Sequence, residues 1–222
     1  MIAHPDEYIC LKNLDLYNSP GCTELATQAR QGRHLVIIPS ESQEGALRVQ
    51  LCEDCYYAWL STDNLDDIQP VETPYEALYL SLEEIQSRLP GVIAFTKAAM
   101  DISNYYLWGG TVSPHYDCSG LMQASFSSEG IWIPRDSYQQ EAFCEPIHEK
   151  DLQPGDLIFF GEERVNHVGL YLGEGYYIHS SGKEKGRDGI AIDILSDTGD
   201  EISQHYFHKF WGFRRVTRNY CG

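Results

Sequence analysis

The sequence predicts an α+β protein in two parts: a small β domain, then helices packed on an antiparallel sheet. Three observations predict it. Short β-forming runs at 8–11, 34–38, 46–51 and 57–60 alternate with turn residues such as Ser19-Pro20-Gly21. Periodicity then lapses around Pro70 and Pro74. After a helical stretch, strand patterns return at 156–160, 167–172, 176–180, 190–194 and 210–216. Helices followed by a run of strands are the order of an α+β domain. The expected division is a β domain over 1–68, a linker over 69–84 and a second domain over 85–222. Ser81-Leu82-Glu83-Glu84 reads as a capping box that starts the first helix, and Pro90-Gly91 reads as its interruption.

Composition narrows the function. The 222 residues carry 33 Asp and Glu against 16 Lys and Arg, a formal charge of −17. Such a surface repels nucleic acid and anionic membranes, which need clustered cations. Residues 1–20 are mixed and polar, so neither a signal peptide nor a membrane span is expected, and the expected location is the cytoplasm. The seven cysteines are then expected to be reduced thiols. No cofactor, nucleic acid or membrane partner is expected, and the chain is expected to act as a monomer.

The chemistry concentrates in three places. In His115-Tyr116-Asp117-Cys118-Ser119-Gly120, a polar loop ends at Asp117 and an apolar helical pattern follows. Cys118 therefore sits at a helix start, where unpaired amides and the helix dipole stabilise a thiolate and can hold an oxyanion. Buried core cysteines also occupy such positions. Asn166-His167-Val168-Gly169-Leu170-Tyr171-Leu172 reads as a strand, Gly173-Glu174-Gly175 as a three-residue turn, and Tyr176-Tyr177-Ile178-His179 as the returning strand. With residue 172 facing 176, Gly169 faces His179. His167 and His179 then share a sheet face as diagonal neighbours, and Gly169 leaves room for the His179 ring. A slip of one residue would separate them. A thiol, a base and a group that orients the base follow the logic of papain-type enzymes.

These residues, with Tyr106-Leu107-Trp108-Gly109-Gly110 and Pro154-Gly155-Asp156-Leu157, resemble the NlpC family of bacterial cell-wall cysteine peptidases over about 85–216. The N-terminal part resembles a bacterial SH3-like β-barrel. The resemblance implies a papain-like catalytic domain that cuts γ-D-glutamyl-L-diamino acid bonds in peptidoglycan stem peptides with a free N-terminal L-Ala, a recycling activity. It implies Cys118 as nucleophile, His167 as base, His179 as the third polar residue and Tyr106 as a helper of the oxyanion hole. Trp108 would line the cleft. Asp117, Ser119, Asp136 and Ser137 would bind the substrate's amine and D-Glu carboxylate. Asp136 and Ser137 also read as a helix cap. Tyr56 would be lent to the pocket by the SH3-like domain, although Tyr57 stands where the family pattern has Pro.

Three alternatives remain open on the residues alone: an exported endopeptidase acting on intact peptidoglycan, an amidase or acyltransferase on the same fold, and a wall-fragment binding protein without catalysis. Cys52-Glu53-Asp54-Cys55 has the spacing of a zinc or redox pair, but neither a second pair nor a nearby His completes a metal site. Gly182 to Gly189 reads as a flexible loop beside the active site rather than a phosphate cradle.

Overall fold

The computed structural model describes residues 7–184 and 186–220; Cys221 lies outside them. Seven strands make an N-terminal antiparallel sheet: β1 (Glu7–Cys10), β2 (Leu14–Tyr17), β3 (Leu25–Ala29), β4 (His34–Ile37), β5 (Ala46–Leu51), β6 (Tyr57–Ser61) and β7 (Ile68–Pro70), in the order β3-β2-β6-β5-β4-β1-β7. Cys10, Leu14, Leu16, Ala29, Leu35, Val49, Leu51, Ala58, Leu60 and Ile68 meet in one core. They come from all seven strands. A flat sheet would hold its outer strands about 29 Å apart, so this sheet curls round its core. Strands β2, β3 and β7 were not expected from the sequence. They are short, and Leu14-Asp15-Leu16 alternates over three residues only. β7 pairs with β1 (Tyr8 opposite Pro70), so residues expected in the linker belong to the sheet. The stretch without helix or strand is 71–81.

Helix α1 (Leu82–Met100) opens as expected. Glu84 Oε2 accepts from the Ser81 amide at 2.8 Å, and Ser81 Oγ accepts from the Glu84 amide at 3.3 Å. The expected interruption at Pro90-Gly91 does not occur, and the helix continues through both. Pro90 costs the helix one hydrogen bond. Burial of Ile85, Val92 and Ala99 in a shared core offsets that cost. Gly91 has a packing reason: a Cβ there would lie 2.3 Å from the Glu129 carboxylate.

A two-strand ribbon, β8 (Thr111–Val112) with β9 (His115–Tyr116), leads into α2 (Cys118–Ser128), and α3 (Ser137–Phe143) follows. The second sheet contains β10 (Glu145–Ile147), β11 (Leu157–Gly161), β12 (Val165–Gly173), β13 (Tyr176–Ser181), β14 (Gly189–Ile194) and β15 (Phe210–Arg215), in the order β10-β15-β11-β12-β13-β14. Its pairings are antiparallel, as expected. α1 and α2 share a core with Leu157, Phe159, Val168, Leu170 and Ile178. α4 (Glu201–Phe207) brings Tyr206 against Ile158, Phe160, Tyr177 and Phe213, the alternate residues of the same strands. The sheet therefore lies between two apolar layers, because its strands carry apolar residues at both parities.

The β12–β13 hairpin decides where the histidines go. Leu170 faces Ile178 and Tyr171 faces Tyr177, which is the expected register. The turn differs from expectation. Gly173, not Leu172, faces Tyr176, and the loop is Glu174-Gly175, both at positive φ (54° and 82°). Two consecutive left-handed residues match the twist of a tight hairpin. The ladder shifts between Tyr171 and Gly173, which restores the register that a three-residue turn would give. A Cβ on Gly169 would approach Tyr177 Cδ2 at 2.7 Å and His179 Cβ at 3.3 Å. Gly169→Ala is expected to destabilise the fold by about 1–3 kcal/mol, measured by urea unfolding.

Candidate active site

Asp117 and Arg135 build the frame of the site. Asp117 is the N-cap of α2, and its Oδ1 accepts from the Gly120 amide at 2.6 Å. Its Oδ2 accepts from the Gly109 amide at 2.8 Å and from Arg135 Nη2 at 2.6 Å. Arg135 Nη1 donates to Asp117 Oδ1 at 3.1 Å and to Ser119 Oγ at 3.0 Å. Arg135 Nε reaches across to Thr27 Oγ1 on β3 at 2.9 Å. Both charged residues are buried. The glycines of the Trp108-Gly109-Gly110 loop are required by close approach. Gly109 has φ 80°, and a Cβ on it would lie 2.8 Å from the Leu25 carbonyl oxygen; a Cβ on Gly120 would lie 2.0 Å from that of Gly110. The loop is thus pressed between β3 and the first turn of α2.

Asp117 accepts hydrogen bonds from Gly109, Gly120, Ser119 and Arg135, and Ser119 Oγ is held between Asp117 and Arg135. Both residues also line the cavity beside Cys118. The Cys118 thiol is pulled in both directions. Burial, then the adjacent Asp117 carboxylate, push the Cys118 thiol up to about 12, although the backbone amides of Ser119 and Val168 and the Arg135 charge oppose them. The helix start is positive, but its own cap is an anion placed beside the sulfur.

The base lies next in the chain to an amide that touches the sulfur, since His167 precedes Val168. His167 Nε2 and His179 Nδ1 are 2.6 Å apart, and His179 Nε2 lies 2.8 Å from Asp193 Oδ2. Burial holds His167 well below the usual imidazole range, with His179 contributing. Burial lowers His179 too, although Asp193 opposes it. Burial thus disfavours the charged form of both Cys118 and His167. Tyr206 stacks on His167 with ring centres 4.5 Å apart, and its phenol also stands close enough to Cys118 to feel the thiol's charge.

A cavity of about 270 Å³ opens beside Cys118. Tyr56, Tyr106, Trp108, Asp136, Ser137 and Tyr138 line it, and Asn18 and Ala26 join Tyr56 from the N-terminal sheet. Burial, then Cys118, push Tyr106 upward, so its phenol keeps a proton to donate. Burial also raises Asp136, against the pull of Arg135. Tyr56 is delivered by the turn 52–55: Asp54 Oδ1 accepts from the Tyr56 amide at 3.2 Å, and Asp54 Oδ2 accepts from Gln123 on α2 at 2.8 Å. Tyr57, in place of the expected Pro, turns outward beneath Arg48. Among the described residues no cluster of His, Cys, Asp and Glu could hold a metal ion.

Residues 103–213, half of the chain, match the model of the NlpC/P60 family. The chain belongs to the NlpC/P60 family. Residues 16–65 match the bacterial dipeptidyl-peptidase SH3 domain. A gamma-D-glutamyl-L-lysine dipeptidyl-peptidase of Bacillus cereus is 40% identical over 114 residues, 50% of this chain and 32% of that protein. The Bacillus subtilis protein of the same name is 39% identical over 97 residues, 42% of this chain and 31% of that protein. The matched stretches thus span about a third of those relatives. The peptidoglycan hydrolase RipB of Mycobacterium tuberculosis shares the fold, with TM-score 0.50 and 23% identity over 68% of this chain and 75% of that one.

For this NlpC/P60 protein, the sequence reading missed Arg135, Asp193 and Tyr206. Asp193 had a visible signal: it is the one charged residue in the apolar strand Ile190-Ala191-Ile192-Asp193-Ile194. Arg135 and Tyr206 carried none, since each is placed by tertiary packing. The lowered His167 sets the expected pH dependence. The base works when neutral, so the acid limb of kcat/KM should have its midpoint below pH 6.5. A pH–rate profile checks this, and a midpoint at or above 6.5 contradicts the buried pair.

Proposed function

We propose that this protein is a cysteine peptidase that hydrolyses the γ-D-glutamyl-L-diamino acid bond of peptidoglycan stem peptides with a free N-terminal L-Ala. The observation that carries the reading is a cavity beside Cys118 walled by Tyr56 and Asp136, with the Val168 amide, next in the chain to the hydrogen-bonded His167–His179 pair, on the sulfur. In this mechanism the Cys118 thiol gives its proton to His167 as the sulfur attacks the γ-glutamyl carbonyl. The protonated Tyr106 phenol and helix-start amides are the donors for the oxyanion. His167 then protonates the leaving amine, and water hydrolyses the thioester.

Substrate selection follows from what remains unpaired. Asp117 is committed to Arg135, whereas Asp136 lines the cavity with the Tyr138 hydroxyl as its hydrogen-bond partner. Its burial gives it a reason to take a cation, and an α-ammonium group is one. Tyr56 and its neighbours from the N-terminal sheet wall the same cavity, which leaves little room for a glycan-linked peptide. An enzyme that demands a free amine acts on released peptides, which is the recycling role.

Cys118→Ala is expected to abolish turnover of L-Ala-γ-D-Glu-diamino acid peptides, followed by mass spectrometry. Near-parental turnover by the folded variant would sink the mechanism. Acetylating the L-Ala amine leaves a buried carboxylate without its cation, a cost of roughly 2–5 kcal/mol. The expected fall in kcat/KM is therefore at least about 30-fold, and Asp136→Asn should shrink that discrimination. Equal rates on free and acetylated peptides, or efficient digestion of intact sacculi, would remove the amine requirement and the recycling role together.

A further inference from the structure

We infer that Asp193 is a positioning residue that sets the tautomer of both histidines, and that Arg187 fixes which atom of residue 193 faces them. The inference rests on the catalytic reading above and extends it by one member.

The geometry is a diagonal across three strands. Leu170 faces Ile178 in the β12–β13 register, and one step on a Cβ on Gly169 would lie 3.3 Å from His179 Cβ, so His167 and His179 share a face. His179 faces Ala191 in the β13–β14 register, so Asp193 is its diagonal neighbour on that face. The Asp193 side chain is 1% exposed and the His179 side chain 0%. Water therefore does not replace either partner. A buried carboxylate at this site accepts and does not donate. Burial tends to raise Asp193, but its hydrogen bonds to His179 and Arg187 more than offset this and lower it, so it stays ionised.

Proton accounting then runs one way. His179 Nε2–H donates to Asp193 Oδ2, which leaves His179 Nδ1 as an acceptor. His167 Nε2–H donates to that nitrogen, which leaves His167 Nδ1 bare to take the thiol proton. Without an obligate acceptor at 193, nothing in the chain of three selects this arrangement over its inverse.

Arg187 supplies the second half. Its Nε donates to Asp193 Oδ1 at 3.1 Å, its Nη2 pairs with Oδ1 and with Asp200, and its own amide donates to Ser181 Oγ at 2.8 Å. Nε also reaches Oδ2 at the longer distance of 3.4 Å, so the guanidinium addresses chiefly Oδ1, while His179 Nε2 lies 2.8 Å from Oδ2. Tyr177 and Tyr206 are the other titratable groups whose charges Asp193 influences.

Asp193→Asn gives a test with a sharp signature. Arg187 should hold the amide oxygen, so that Nδ2 faces His179 and donates to Nε2. Both histidines then invert, and His167 Nδ1 becomes protonated and unable to act as base. Removing Arg187 as well lets the amide rotate and offer its oxygen to His179. Nitrogen-15 NMR of the imidazoles reads the tautomers without substrate. The expected result is Nε2–H for both rings in the parent, Nδ1–H in Asp193→Asn, and a return toward Nε2–H in Asp193→Asn with Arg187→Ala. Turnover should follow: a loss of at least about 100-fold in kcat with KM within threefold for Asp193→Asn, and recovery of at least tenfold of it in the double variant. Nδ1–H histidines in the parent, unchanged tautomers in Asp193→Asn, or a loss that removal of Arg187 does not relieve would overturn the inference. The expected tautomers in a parent that turns over no peptide would overturn the proposed function and leave the positioning role standing.

Discussion

The ion pair between Asp117 and Arg135 is the constraint on which the site depends. One carboxylate caps α2, fixes the Gly109 amide, holds Ser119 and pairs with Arg135, and the same guanidinium reaches Thr27 in the other domain. A buried ion pair adds little net stability, because desolvation consumes most of the attraction. What it does here is specify position. With all of these donors converging on two oxygens, the loop at Trp108, the start of α2 and the edge of β3 move as one piece. The anion that orders the helix start also adds to the effect of burial in pushing the Cys118 thiol upward.

Acidic surface charge makes the buried cations more informative. The chain has 16 Lys and Arg against 33 acidic residues, yet Arg33 and Arg135 are buried at the junction of the two domains. Arg33 pairs with Glu53 and Asp54 and lies over the Trp132 ring at 4.6 Å. Burying a guanidinium costs several kcal/mol unless carboxylates accompany it, and each of these has its own. Asp136 also lies in the cleft, where Arg135, already bound to Asp117, pulls on it and Tyr138 hydrogen-bonds it.

The parts of this design that were legible in the sequence are local. The Cys118 helix start, the capping box at Ser81 and the register of His167 against His179 each follow from spacing within a dozen residues. The register was right although the turn was wrong, because the shift after Tyr171 compensates for a loop one residue shorter. What could not be read is what depends on distant partners. The helix continues through Pro90 because a core forms around it. The partner of Asp117, Arg135, lies 18 residues away. Asp193 is reached only after two strand registers are known in succession.

The turn Cys52-Glu53-Asp54-Cys55 shows how a pattern suggestive of chemistry can serve mechanics. Its two acidic residues are buried, one bonded to the His34 amide and to Arg33, the other to Arg33, Gln123 and the Tyr56 amide. Cys55 has φ 53°, a left-handed position that lets the chain reverse and enter β6. Those contacts tie the turn to α2, the helix that carries Cys118. Tyr56 follows the turn directly, so its place in the cavity is set by the same bonds. The N-terminal domain therefore contributes Tyr56 to the cleft through a buried polar junction with α2.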